Sequence, residues 1–226
     1  MFGDGSLTFH EFATREPHPL AVVQDAVFEF LRGRDDAVLC GAQAVNAYVT
    51  ESRMTQDVDI ASPRAAEFAE ELWAFLHGRF GIDVRVLEMR KGVGYRIDQV
   101  KELEKRHLVD VRPISDLPPC KRVRRVLVVT PPELIANKLM SMVGRRRQPK
   151  GFQDQADLYR LLLRFPELKK DEGAVAERLR AAGVGEEATA AWKELVAQDI
   201  RAEEEDEKFL WVLSGQEVRH DRAGGS

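Results

Sequence analysis

The chain has 226 residues, 44% apolar and 32% charged, with a formal net charge of −4 at pH 7. Such a composition suits a domain that buries a sizeable core; it excludes a disordered tail, and no apolar run nears the roughly 18 residues of a membrane span. The opening residues, Asp4, His10 and Glu11 among them, lack the basic-then-apolar order of a secretory leader, so a cytoplasmic location is expected.

Cys40 and Cys120 lie far apart and in no Cys/His spacing, which predicts buried thiols rather than a disulfide framework or a structural zinc site. Charge is unevenly spread. Residues 121–150 hold nine basic side chains against one acid, Glu133, whereas residues 167–207 hold thirteen acids against six bases. The first segment can attract phosphates and the second cannot.

In chain order, Leu20, Val23, Val27, Phe28 and Leu31 repeat at helical spacing and predict a first amphipathic helix over 19–32. A short apolar strand at 37–40 breaks at Gly41 into a helix over 42–48. Residues 57–61 alternate acid and apolar as a half-buried strand does, and 65–80 return to helical spacing. Strands are expected at 84–89, 93–100, 107–111 and 123–129. Thr130, Pro131 and Glu133 form a capping-box helix start with proline at the first helical position. Further helices are expected at 152–165, 173–182 and 186–213, the last carrying an acidic run at 203–207, with a frayed end at 222–226. The division expected is an α/β core over 1–129 and a helical region over 130–226 packed on it.

Four places carry chemistry. On a strand, Asp57 and Asp59 project to one side while Val58 and Ile60 face the core, and two carboxylates so close repel unless a cation sits between them. Mg²⁺ (or Mn²⁺) suits such a pair because it prefers oxygen ligands and leaves positions for triphosphate oxygens. Gly41-Ala42-Gln43 is a strand-to-helix turn whose backbone can approach a ligand and whose amides can bind phosphate. Asp110 leaves its strand opposite Val109 and Val111, and converges with the pair if the strands are neighbours. Lys138 falls in the middle of an apolar helix face, where it needs an anion; Asp154, on the apolar face of the next helix, offers one, either as a structural ion pair or as a partner that holds Lys138 toward a triphosphate.

Together these residues resemble the nucleotidyltransferase superfamily, and within it the minimal toxin-like AbiEii/AbiGii group. The pattern runs through Gly41-Ala42, then Arg53-x-Thr55-x-Asp57-x-Asp59, then Asp110, then Leu134-Ile135-Ala136-Asn137-Lys138, then Gln153-Asp154-Gln155-Ala156-Asp157-Leu158. It covers residues 35–165. Ala42 stands where a second Gly or a Ser is commoner, Gln153 replaces a lysine, and the gap from Ala42 to Asp57 is slightly long; no carboxylate is lost.

The resemblance implies an α/β (α+β) fold with a mixed sheet flanked by helices and followed by a helical region. It implies a metal-dependent enzyme that moves an NMP from an NTP to an acceptor hydroxyl with release of pyrophosphate. Asp57, Asp59 and Asp110 would be catalytic and metal-holding, and Gly41, Ala42, Gln43, Arg53, Thr55, Lys138 and Asp154 would bind nucleotide. For Arg53 an ordinary ion pair with an acid is the alternative. The acceptor would be RNA, tRNA included, gripped by the clusters at 121–125 and 145–150, and an antitoxin would be the protein partner. Small-molecule or protein acceptors, as in antibiotic-modifying relatives, and a non-catalytic binding role stay open.

Overall fold

The computed structural model describes Glu11, Glu16 and residues 18–101 and 104–202. The acidic run at 203–207, the expected end of the last helix at 213 and the tail at 222–226 lie outside these residues. Helix α1 (Leu20–Leu31) leads to strand β1 (Val38–Leu39), helix α2 (Gly41–Asn46), strand β2 (Val58–Ser62) and helix α3 (Ala65–Phe80). Strands β3 (Val84–Glu88), β4 (Tyr95–Lys101), β5 (Glu104–Pro113), β6 (Cys120–Val123) and β7 (Val126–Val129) follow. Helices α4 (Pro131–Gly144), α5 (Pro149–Arg164), α6 (Ala174–Ala181) and α7 (Glu186–Ala197) complete the fold.

The strands form one mixed sheet in the order β3-β4-β5-β2-β1-β7-β6. Strands β2 and β5 run parallel at its centre, with Val58 beside Val109 and Asp59 beside Asp110. Strand β1 pairs antiparallel with β2 and parallel with β7. Because side chains alternate along a strand, this register sends Val58, Ile60, Val109 and Val111, all fully buried, to one face and the acids to the other. Helix α3 packs on the apolar face through Phe68, Leu72 and Leu76, spaced four residues apart, and ends at Gly81 in the left-handed conformation. Helix α4 contributes Leu134, Ile135 and Leu139 and packs against α5, α6 and α7.

Three local expectations are corrected. The single strand expected over 123–129 is the end of a hairpin, β6 and β7, closed by Arg124 and Arg125 with φ of 48° and 71°. Positive φ at both central residues is what a tight two-residue turn demands, and Asn-Gly, its usual signal, is missing. Thr130 caps α4 by backbone conformation alone: its side chain makes no capping bond, and Glu133 instead accepts from Arg178 Nε at 2.5 Å. The last helix stops at Ala197 because Gln198 turns extended. Cys40 and Cys120 are free and half-buried.

Candidate active site

Asp57 ends the loop that enters β2, Asp59 follows on the strand, and Asp110 neighbours Asp59 on β5. Ligand atoms of Asp57, His107 and Asp110 all lie within 4.8 Å of one another. His107 Nε2 is 2.9 Å from Asp110 Oδ1, and its Nδ1 is 3.7 Å from Asp57 Oδ2. Arg96 on β4 donates to both oxygens of Asp110, at 3.0 and 3.3 Å. Burial pushes the Asp110 carboxyl up, but hydrogen bonds from His107 and Arg96 outweigh it and hold the group down at about 2. Asp59 goes the other way. Its burial and the charges of Asp57 and Asp110 raise it against the pull of Arg112, whose Nη2 is 3.1 Å from Asp59 Oδ1.

The turn at Gly41 is built around Asp59. Cys40 N–H donates to Asp59 O at 2.9 Å, and the Gly41 backbone, at φ +63°, passes where any Cβ would collide with the carboxylate. Only glycine fits there. Beside it, burial and the Asp59 charge push the Cys40 thiol up to about 12, so it stays protonated. Behind the turn, Gln43, expected near phosphate, points its buried side chain inward, donating to Thr55 Oγ1 at 2.7 Å and to Gln24 Oε1 at 3.0 Å. Thr55 is thereby part of the support beneath the Asp57 loop. Ala42 lines the cleft beside it.

Lys138 is buried, and its ammonium donates to Asp154 at 2.9 Å and to Asp157 at 2.7 Å. Asp157 has no exposed surface and also takes a forked pair of bonds from Arg53, at 2.8 and 2.9 Å. Arg53 therefore meets the acid that sequence reasoning left unnamed for it. Asp157, three residues after Asp154 and on the same helix face, was the missing partner, and that spacing was its available signal. Arg145 reaches Asp154 at 3.3 Å, so the network joins the loop before β2 to both helices α4 and α5.

Two connected hollows open on this assembly. One, of about 560 Å³, is lined by Cys40, Gly41, Asp59, Arg112, Glu133, Lys138, Arg145, Lys150 and Asp154. The other, of about 440 Å³, is lined by Ala42, Arg53, Thr55, Asp57, Asp59, Lys138, Lys150 and Asp154. Asp59, Lys138, Lys150 and Asp154 are common to both, which makes them one cleft, with Asp57, Asp59 and Arg112 on the sheet side and Lys138, Arg145 and Lys150 beside Glu133 and Asp154 on the helix side. Its volume suits a nucleotide-sized ligand.

The basic clusters lie differently. Arg122 is tied to Asp35 on the β6 side, and Lys121 stacks its ammonium over Tyr48, 4.9 Å from the ring centre. Arg145 lines the cleft, whereas Arg146 and Arg147 line a neighbouring hollow that shares Arg145, with Arg146 paired to Glu187 at 2.8 Å and Arg147 in the left-handed conformation at φ 65°. The loop they form is closed on itself. Gln148 N–H donates to Arg145 O at 3.1 Å, and Gly151 packs so tightly there that a Cβ would lie 2.3 Å from that same oxygen.

The family model of the nucleotidyl transferase AbiEii toxin of type IV toxin–antitoxin systems matches residues 25–214. The chain belongs to the AbiEii family. It is therefore an enzyme of the nucleotidyltransferase class, and the carboxylates, the glycine turn and the Lys138 helix all fall within the matched span. Among solved structures, the polyadenylate synthase of Megavirus is similar over 68% of this chain at 20% identity and a TM-score of 0.51; the chain spans only 33% of that enzyme's length. JHP933 from Helicobacter pylori is similar over 84% of this chain and 92% of its own, at 13% identity and a TM-score of 0.51. At such identities both likenesses concern the fold. None of the curated proteins matches the chain. No helix among the described residues is long and apolar enough to cross a membrane.

Proposed function

We propose that this AbiEii-family enzyme transfers an NMP from an NTP to a hydroxyl of RNA, with release of pyrophosphate, and that a divalent cation, Mg²⁺ or Mn²⁺, is held by Asp57, Asp59 and Asp110. The observation that carries the reading is the pairing of Asp59 with Asp110 across parallel strands, beside Asp57, at the mouth of a cleft whose far wall carries Lys138, Arg145 and Lys150. The donor set fits the ion: hard ligand atoms of Asp57 and Asp110 lie within 4.8 Å of each other, Asp59 is the neighbour of Asp110 in the ladder, and burial first, then the charges of Asp57 and Asp110, raise the Asp59 carboxyl, so a cation there would be welcome. When bound, the ion supplies charge neutralisation for the transferring phosphoryl group and acidifies the attacking hydroxyl.

The chain itself positions and neutralises. The amides at Gly41, Ala42 and Gln43 face phosphate oxygens, because the turn leaves the first N–H groups of α2 without helical partners. Lys138 and Lys150 line the cleft opposite the acids and attract the triphosphate, with Asp154 and Asp157 fixing the Lys138 ammonium. Arg53 supports this from behind by clamping Asp157, while Gln43 and Gln24 hold Thr55 beneath the Asp57 loop. RNA as acceptor is supported by the cationic loop at 145–150 beside the cleft and by the exposed ring of Phe152 in the neighbouring hollow. An antitoxin, to be expected of a toxin–antitoxin family, would be the protein partner, and a cytoplasmic location follows from an RNA substrate.

The test is incubation with each labelled NTP and Mg²⁺ or Mn²⁺, against total RNA, tRNA and a protein lysate. Label on RNA that depends on the ion and disappears in Asp59→Asn is expected. Label on protein or on a small molecule instead would replace the acceptor, and equally tight NTP binding in chelator would remove the ion from the reading.

A further inference from the structure

Strand alternation sets residues three apart on opposite faces, so a regular β5 would turn His107 away from Asp110. The ladder to β4 shows why it does not. Ile97 is matched with Val109 and Asp98 with His107, which leaves Leu108 without a partner of its own. This is a β-bulge, a device that re-aims a side chain and recurs beside active sites. Leu108 buries its side chain in the core, and His107 is rotated onto the acidic face, between Asp57 and Asp110. Asp98, opposite His107 in the ladder, keeps a buried carboxyl oxygen with no hydrogen-bond donor among the described residues.

We infer that His107 is a ligand of the bound cation, so that the site takes two carboxylate oxygens and one imidazole nitrogen from Asp57, Asp110 and His107, and that this nitrogen biases the site from Mg²⁺ toward Mn²⁺ or another first-row ion. The inference rests on the proposed carboxylate site and adds a nitrogen donor to its Asp57 and Asp110, while Asp59 lies outside the group of ligand atoms that stand within 4.8 Å of one another. The 2.9 Å between His107 Nε2 and Asp110 Oδ1 matches the spacing of about 3 Å between adjacent ligands on an ion with bonds of about 2.1 Å. Mg²⁺ favours an all-oxygen shell, whereas imidazole suits first-row transition metals. A bulge that costs one ladder position and delivers an imidazole into a carboxylate pair therefore tunes which ion the site prefers.

The experiment uses the full chain freed of metal by chelation and loaded with Mn²⁺ alone, read by electron spin-echo modulation from nitrogen bonded to the ion. The expected result is nitrogen modulation that changes when histidine is ¹⁵N-labelled and vanishes in His107→Asn. That variant should also lose about 10- to 100-fold in Mn²⁺ affinity while Mg²⁺ affinity, measured by displacement, falls less. Bound Mn²⁺ without histidine nitrogen modulation would overturn the inference and leave the carboxylate site standing. Modulation that persists in His107→Asn would assign the nitrogen to another histidine and overturn it as well. Failure of the unaltered chain to bind Mn²⁺ would bring down the carboxylate reading itself. The isotope comparison needs no variant, so it decides even if His107→Asn does not fold.

Discussion

Gly41 and Asp59 compete for one volume: a Cβ on Gly41 would lie 1.9 Å from Asp59 Oδ2 and 2.6 Å from its Cγ. The carboxylate stands where it does because the turn has no side chain. Gly41→Ala is expected to impose backbone strain of about 1–3 kcal/mol at φ +63° and to push Asp59 out of line, lowering both the urea midpoint and metal-dependent nucleotide binding. Ala42→Ser, one residue on, serves as the control and should stay within about 0.5 kcal/mol of the parent. Unimpaired binding in Gly41→Ala would mean that the site tolerates movement of Asp59.

Burial, and after it the neighbouring charges of Asp57 and Asp110, raise the Asp59 carboxyl. For an acid whose value is higher folded than unfolded, ionisation weakens the fold, and that penalty is relieved as pH falls through the raised value. Asp59→Asn should therefore stabilise the metal-free protein by about 0.5–2 kcal/mol, raising Tm by about 2–4 °C per kcal/mol, while metal binding and transfer activity are lost. Thermal melts in chelator check it. A lower Tm would show that the pairing with Arg112 contributes more than burial and repulsion cost.

Asp157 has the opposite sign. Burial pushes its carboxyl up, but the Arg53 bonds and the Lys138 charge prevail and hold it below the ordinary carboxylate range. Its contribution to stability is complete above that range and is lost as pH falls through the depressed folded value. Asp157→Asn leaves Lys138 and Arg53 short of an anion in a buried place and should cost about 3–5 kcal/mol at neutral pH. Urea midpoints from pH 7 down to pH 3 should also fall less steeply in this variant than in the parent.

On the proposed RNA reading, Arg146 and Arg147 are cations whose loss is expected to weaken acceptor binding and leave the fold intact, since the Arg146 pair with Glu187 is exposed and such pairs are worth about 0–1 kcal/mol. The double alanine variant should bind RNA more weakly and lower the slope of log affinity against log salt by about 1–2. Gel shifts at several salt concentrations measure this, with nucleotide binding as the internal reference. An unchanged slope would move the acceptor away from nucleic acid.

Much of the site was legible because it obeys simple periods. Acids two apart on β2, a glycine between strand and helix, and a lysine inside an apolar helix face are local patterns, and each stands where its period puts it. His107 escaped because a bulge at Leu108 shifts the period by one, and a bulge depends on the partner strand rather than on β5 alone. The β6–β7 turn escaped because Arg124 and Arg125 adopt positive φ without glycine or asparagine to announce it. Asp157 escaped because one anion seemed enough for Lys138; a second is needed once Arg53, 104 residues earlier, arrives at the same carboxylate. The capping box at Thr130 failed for a related reason, since Glu133 finds a stronger partner in Arg178. Tertiary charges override local bonding when they are closer to full neutralisation.

The tight seat of Gly151 on the Arg145 carbonyl has a consequence for how this enzyme could change over time. A loop pinned in that way loses its conformational entropy during folding, so the RNA proposed as acceptor would meet a finished display and need not order it. The number of residues between α4 and α5 is then held more strictly than their identity. One inserted residue would lift Gly151 from its seat and redirect Lys150, which lines both lobes of the cleft, whereas exchanges at positions 146 and 147 would alter what is recognised and leave the frame untouched.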